Sequence, residues 1–172
     1  MARTVLVDNN VLSSLAKIDR LGLLNRVFEE VGTTPSVLDE LHKDEVTGYE
    51  FVARIDEVKS YEGGWLRIVS PAEQEVELTE EVLDASLSYT DAECMAIAES
   101  RGKRLLTDDG HVGEIASQRG VEVWDLKLLL EACIVKDLVE NEAELAGLIE
   151  SLREQDSYQF SEEDKDDLYD RL

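Results

Sequence analysis

The run Thr4-Val5-Leu6-Val7 is short, apolar and rich in β-branched residues, and it stops at an acid, Asp8. This predicts a strand whose carboxyl end carries Asp8. Asp8 or Asn9 can cap the helix expected over 10–17. Leu24, Val27, Phe28 and Val31 recur at helical spacing and predict a second helix over about 21–31. In Gly32-Thr33-Thr34-Pro35, Thr34 reads as an N-cap and Pro35 as the first helical residue. That helix carries Val37, Leu38, Glu40 and Leu41, and another is expected over 49–59.

Gly63-Gly64 interrupts the pattern. Trp65 to Val69 then alternates like a strand, which Pro71 ends. Residues 79–87 read as helical, and Thr90-Asp91-Ala92-Glu93 opens a clear helix, with Thr90 and Glu93 spaced as a capping box. Arg104-Leu105-Leu106-Thr107 is a strand ending at Asp108-Asp109. A helix over 112–118 stops at Gly120, and Val121 to Trp124 forms a further strand. Helices over 126–134 and 142–152 follow, and Ser161 with Asp164 marks a last acidic helical turn. Short apolar strands alternating with helices define an α/β fold with a parallel sheet flanked by helices.

In such sheets, sites gather at the carboxyl ends of the strands. Asp8 and the Asp108–Asp109 pair each directly follow a strand. Asp91 lies in the first turn of its helix, where the macrodipole favours a carboxylate. Glu40 sits one turn into a helix that also begins at a strand end. Clustered carboxylates repel, and without a counter-ion some would hold protons instead. A divalent cation removes that cost, and an oxygen donor set without cysteine or histidine selects a hard ion, Mg²⁺ or Mn²⁺. Such an ion activates water and steadies the charge developing on a phosphodiester. No serine, cysteine or histidine shows the surroundings of an activated nucleophile. Capping explains Asp8 and the Asp108–Asp109 pair as simply, and many glutamates in an acidic chain are merely solvated. Thr107 is placed to hydrogen-bond a site carboxylate.

Composition changes this picture in two ways. Forty acids against 17 bases give a net charge of −23, spread along the whole chain. Such a molecule repels nucleic acid at low salt. Either it works in very high salt, where the Debye length falls to roughly 3 Å at 1 M, or it meets a strongly basic partner. The low lysine content, 7 against 10 arginines, favours the halophilic reading. Cations are few, and the densest group, Arg101-Gly102-Lys103-Arg104, precedes its strand and so belongs at the sheet edge opposite Asp108. Lys43 and Arg119 are the other candidates for substrate contact. Cys94 and Cys133 fall in apolar helical patterns and read as buried free thiols; with His42 and His111 they form no zinc spacing. No apolar run approaches the roughly 18 residues of a membrane span, and residues 1–4 lead straight into a strand without a signal-peptide pattern. A cytoplasmic location is expected.

Four segments occur in order: Val5-Leu6-Val7-Asp8-Asn9-Asn10-Val11-Leu12, Pro35-Ser36-Val37-Leu38-Asp39-Glu40-Leu41, Tyr89-Thr90-Asp91-Ala92-Glu93-Cys94-Met95-Ala96-Ile97-Ala98, and Leu105-Leu106-Thr107-Asp108-Asp109. Together they resemble the PIN domain, and within it the VapC-like prokaryotic branch. The resemblance implies a Rossmann-like parallel sheet over 1–135, with 136–172 as a helical extension packed on the same domain and ending in an acidic tail. It implies a Mg²⁺- or Mn²⁺-dependent endoribonuclease with Asp8, Glu40, Asp91 and Asp109 as catalytic acids. The implied metal ligands are Asp8, Asp91, Asp108 and Asp109, supported by Asn9, Glu93 and Thr107. It also implies an RNA substrate, a homodimer and, for many members, a toxin held inactive by an antitoxin protein. One departure concerns substrate grip: relatives with an Asp-Asp pair often carry arginine four residues after the second Asp, where this chain has Gly113. A non-catalytic interaction module on the same fold, and a metal phosphohydrolase acting on DNA or small phosphate esters, remain alternatives on sequence.

Overall fold

The computed structural model describes residues 4–46, 50–60, 63–84 and 86–172, with the backbone alone for 44–46. The first three residues, and Tyr49 at the start of the helix expected over 49–59, lie outside these ranges.

The chain alternates strand and helix. β1 (Thr4–Val7) leads into α1 (Asn9–Lys17) and α2 (Gly22–Val27), and β2 (Glu30–Thr33) into α3 (Pro35–Val46) and α4 (Val52–Val58). β3 (Leu66–Ile68) is followed by α5 (Glu73–Val82) and α6 (Tyr89–Arg101), and β4 (Arg104–Leu106) by α7 (Gly110–Gln118). β5 (Val123–Trp124) precedes α8 (Leu126–Val135), α9 (Glu142–Asp156) and α10 (Glu162–Asp170). The five strands form one sheet in the order β3-β2-β1-β4-β5, every pairing parallel. β1 is central, with Leu6 level with Gly32 on one side and Leu105 on the other. The chain runs outward from β1 through β2 to β3, then returns to the other side of β1 for β4. The crevice outside the carboxyl ends of β1 and β4 is therefore the topological switch point, the ordinary place for a site in an open parallel sheet.

Burial on both faces explains why central β1 and the Leu105-Leu106 end of β4 are continuous apolar runs, whereas edge strand β3 alternates and exposes Arg67. Leu6, Leu66, Leu105 and Leu106 are fully buried and join Leu12, Leu15, Met95, Ile97 and Leu126 from the surrounding helices in one core. α9 packs on α1, and α10 on α8, so residues beyond 135 lie against the same body. Cys94 and Cys133 are buried free thiols; burial pushes both thiols up, Cys133 to about 12, and keeps them unreactive.

Two predicted helices differ most from the observed elements, while the strand expected over 121–124 shortens to Val123–Trp124 and the helix expected over 142–152 runs on to Asp156. The helix expected over 21–31 ends at Val27, and Phe28 is already extended (φ −109°, ψ 147°). Val31 fits a helical spacing, yet it pairs with Val5 and Leu66 in the sheet. A residue buried between two strands satisfies either period, so spacing alone misassigned it. The helix expected over 79–87 is α5, which starts six residues earlier and ends at Val82. Its start is fixed by Glu75, whose carboxylate accepts the Ala72 N–H at 2.7 Å and pairs with Arg101 at 2.7 Å. Ala72 carries no side-chain acceptor, so no capping residue marks this start.

Leu105 lies in β4 between β1 and β5 and is fully buried. Leu105→Ala should lower stability by about 2–5 kcal/mol, read as a shift of the urea midpoint at constant m-value; a loss below about 1 kcal/mol would contradict this packing.

Candidate active site

The carboxyl edge of β1 and β4 gathers acids because each strand ends where a helix must be capped. Asp8 follows β1 and caps α1: its Oδ1 accepts the Val11 N–H at 2.9 Å. Its Oδ2 accepts the Thr107 hydroxyl at 2.5 Å, which ties the end of β1 to the end of β4. The Thr107 oxygen in turn accepts the Asp109 N–H at 3.2 Å. Asp109 caps α7, taking the N–H groups of His111 (3.0 Å) and Val112 (3.2 Å), both on Oδ1. Asp108 reaches the start of α8, where its Oδ1 accepts the Leu126 N–H at 3.0 Å and the Tyr158 hydroxyl at 3.4 Å. Capping and clustering are thus the same arrangement here.

Glu40 comes from α3, which starts directly after β2. Thr34 caps that helix through the Val37 N–H at 3.3 Å, as the sequence predicts. Glu40 is held from two sides: Asn9 Nδ2 donates to Oε2 at 2.9 Å and Thr90 Oγ1 donates to Oε1 at 2.7 Å. Asn9 is itself oriented by the Ser13 hydroxyl at 2.8 Å. The Thr90–Glu93 capping box does not form. Ser88 caps α6 instead, accepting the Asp91 N–H at 3.1 Å while its hydroxyl donates to Asp91 Oδ2 at 2.9 Å. Thr90 is released to Glu40, and Glu93 is turned inward and buried, with Oε1 lacking a hydrogen-bond partner.

Electrostatics shows which acids sense one another. Burial pushes Asp8 up to about 7, against the hydrogen bonds from Thr107 and Val11, and Asp91 and Asp108 push it further. Burial raises Asp91 as well, opposed by Ser88 and reinforced by Asp109 and Glu40. Asp108 is raised by burial, with the Leu126 N–H opposing and Asp125 adding to the rise. Asp91 is the hub: it senses Asp8 on one side and Asp109 and Glu40 on the other.

Two buried carboxylate oxygens, Glu93 Oε1 and Asp108 Oδ2, have no hydrogen-bond partner. Orphaned acceptors beside mutually repelling carboxylates fit a cation, and an all-oxygen donor set fits a hard divalent one. Among the described residues, no group of three or more histidine, cysteine, aspartate or glutamate side chains is arranged to hold a metal ion as it stands. The donors match in chemistry, and binding would have to draw them together.

The dense basic group lies away from this edge, as the sequence implied. Arg101, Lys103, Arg104 and Arg119 lie at the amino edge of the sheet, paired with Glu75, Glu30, Glu122 and Glu99. Gly113 faces β5: a Cβ there would stand 3.3 Å from Val123 Cγ1. That position packs against the sheet and leaves little room for a long side chain. Sequence reasoning missed Ser88, Ser14, Lys17, Asp156 and Tyr158, which surround the acids. Ser13 and Ser14 are a usable signal, two hydroxyls inside the apolar stretch Val11 to Ala16 of α1.

A parallel sheet in the order 3-2-1-4-5, with acids at its switch point, defines a class of α/β proteins with a carboxylate site. Residues 4–165 match the DUF3368 family, described as a PIN domain, and the chain belongs to that family. No match was found among curated proteins. Similar solved structures include a PilT N-terminus domain protein, SSO1118, from the archaeon Sulfolobus solfataricus P2 (15% identity, 81% of this chain and 96% of that one, TM-score 0.54). PAE2754 from Pyrobaculum aerophilum is 20% identical over 77% of this chain and 91% of its own, with a TM-score of 0.53. VapBC2 from Rickettsia felis, bound to a DNA fragment from its promoter, is 12% identical over 71% and 98%, with a TM-score of 0.53. At these identities the likeness shows the fold. Among the described residues no helix is long and apolar enough to cross a membrane.

The raised Asp8 carboxyl sets the sign of a pH effect. Its folded value, about 7, lies above the ordinary 3.8, so the native state holds a proton that the unfolded chain releases between those values. Stability from this group is therefore present in acid and lost as pH rises through about 7. In EDTA at pH 8, Asp8→Asn should be more stable than wild type by on the order of 1–3 kcal/mol, the gap closing toward pH 5. Thermal melts of both proteins across this range check it; a variant less stable than wild type at pH 8 would contradict it.

Proposed function

We propose that the protein is a Mg²⁺- or Mn²⁺-dependent endoribonuclease. The observation that carries this reading is Asp8, buried at the switch point and repelled by Asp91 and Asp108, beside orphaned oxygens on Glu93 and Asp108. Family membership supports nuclease chemistry, and the absence of an activated nucleophile from the sequence supports hydrolysis by water. Asp8, Asp91, Asp108 and Asp109 would hold the ion, which when bound would supply an activated water and offset charge on the phosphodiester. Glu40 sits at the rim, fixed by Asn9 and Thr90 so that it can orient a water or accept its proton. Thr107 keeps β1 and β4 in register at the site by holding Asp8. Glu93, on the buried face of α6, would turn its orphaned oxygen toward the cation.

The same reading extends to partners. A similar fold occurs in VapBC2 from Rickettsia felis, and a toxin restrained by an antitoxin is the physiological role proposed here, with a homodimer as the active form. The net charge of −23 supports work in concentrated salt, where repulsion from RNA is screened.

A second reading, a PIN-fold interaction module without activity, draws on the lack of a preassembled group of three ligands among the described residues. The two separate in one assay. Pure protein in molar KCl with Mn²⁺ should cleave single-stranded RNA in preference to DNA and small phosphate esters. Asp8→Asn and Asp91→Asn should each reduce the rate by roughly 100-fold or more. Absence of cleavage of every substrate, together with no Mn²⁺ binding, would replace the enzyme by the module; preferred hydrolysis of DNA or esters would replace the substrate.

A further inference from the structure

Beside the carboxylates lies a groove of about 470 Å³, within the roughly 300–1,000 Å³ range of sites that hold a small organic ligand. Asn9 and Asp108 belong to both, so the groove opens directly from the acidic centre. Its wall is not acidic throughout. α1 contributes the amide of Asn10 and the hydroxyls of Ser13 and Ser14, and ends at Lys17. Lys17 is the cation among the lining residues, whereas the dense basic group lies at the far edge of the sheet. Two aromatic residues, Phe51 and Tyr158, border the same space. Lys17 Nζ stands 5.1 Å from the Phe51 ring, and the Tyr158 hydroxyl reaches Asp108.

One contact shows what this wall accepts. The Asp156 carboxylate, at the end of α9, takes the Ser14 hydroxyl on Oδ2 at 2.5 Å and Lys17 Nζ on Oδ1 at 2.8 Å. An ammonium and a hydroxyl gripping two oxygens of one anion is the chemistry that also grips a phosphate. The anion is delivered by a turn that is not relaxed, since Ser157, the next residue, has φ +55°, a left-handed conformation unfavourable for a side chain other than glycine. The segment from Asp156 to Tyr158 thus places an acid and a ring in the groove at some backbone cost.

We propose that this groove is a nucleotide subsite for single-stranded RNA, in which Ser14 and Lys17 bind a backbone phosphate adjacent to the reacting one, in the place that Asp156 fills in the free protein. The proposal rests on the ribonuclease reading for its substrate class. The rings of Phe51 and Tyr158 border the space where the attached base would stack, and the Asn10 amide and Ser13 hydroxyl offer hydrogen bonds to its sugar. Asp156 is then a competitor: it screens Lys17 until a phosphate displaces it, which restrains binding by a chain that otherwise carries little cationic surface at this edge.

The test measures binding and not cleavage, so it stands apart from the enzymatic reading. Fluorescence anisotropy of a short labelled oligouridylate is followed over a KCl series on the full-length Asp8→Asn chain, alone and combined with Lys17→Ala, Lys17→Arg or Asp156→Asn. Lys17→Ala should weaken binding about fivefold and reduce the log–log salt slope by about 0.7, the value for one phosphate contact on a single strand. Lys17→Arg should restore both. Asp156→Asn should tighten binding several-fold even though it removes a bond between α1 and α9. Circular dichroism melts establish that each variant is folded. Unchanged affinity and slope in Lys17→Ala, or unchanged or weaker binding in Asp156→Asn, would overturn the proposal and leave the Lys17–Asp156 pair as a fastening between helices. Loss of RNA cleavage by the wild-type chain with the binding pattern intact would instead overturn the enzymatic reading alone.

Discussion

The site depends on one unfavourable interaction: several carboxylates kept close together, partly out of water, at the ends of β1 and β4. Desolvation raises Asp8 and Asp91; Asp91 and Asp108 push Asp8 further, and Asp109 and Glu40 do the same to Asp91. Nothing in the local backbone requires this crowding. Ser or Asn would cap α1 and α7 as well as Asp8 and Asp109 do, and without repulsion. The fold tolerates the cost because the sheet beneath is buried on both faces and its central strand is fixed on both sides. Hydroxyls distribute the remaining load: Thr107 on Asp8, Ser88 on Asp91 and Thr90 on Glu40. A cation is the group whose arrival would turn this cost into binding energy.

The same constraint organises the charge over the whole molecule. Cations are held by acids at the amino edge, while the carboxyl edge is left negative. An anionic substrate must therefore be brought in by a metal ion, by concentrated salt, or by the few polar groups of α1. Position 113 illustrates how packing limits the alternatives. A glycine there lets α7 lie close to Val123, and an arginine would have to displace that contact.

Much of this was legible in the chain. Asp8 and Asp108–Asp109 stood out because each ends a short apolar run, and a parallel sheet places such positions at one edge. Their capping role and their clustering could not be separated by sequence, and in the structure they coincide. β2 was legible only as a strand end before the Glu40 helix and not in its residues, because Val31 suits a helix as well as a buried strand and only its pairing with Val5 and Leu66 decides. The partners of Glu40 were hidden by a local motif: Thr90 and Glu93 have capping-box spacing, but Ser88, one residue before the helix, takes the cap. The contribution of the C-terminal segment was invisible for a different reason. Asp156 and Tyr158 sit in an acidic stretch without periodicity, and they reach α1 and Asp108 across 142 and 50 residues of sequence.

Whether the repelling carboxylates take up a divalent cation is read from calorimetric titration of the metal-free protein with Mn²⁺ at pH 7, in two buffers of different ionisation enthalpy. Saturable binding with release of a proton from the acid cluster is expected, and loss of that binding in Asp91→Asn. Heats indistinguishable from dilution, or Mn²⁺ binding of equal strength in Asp91→Asn, would contradict it.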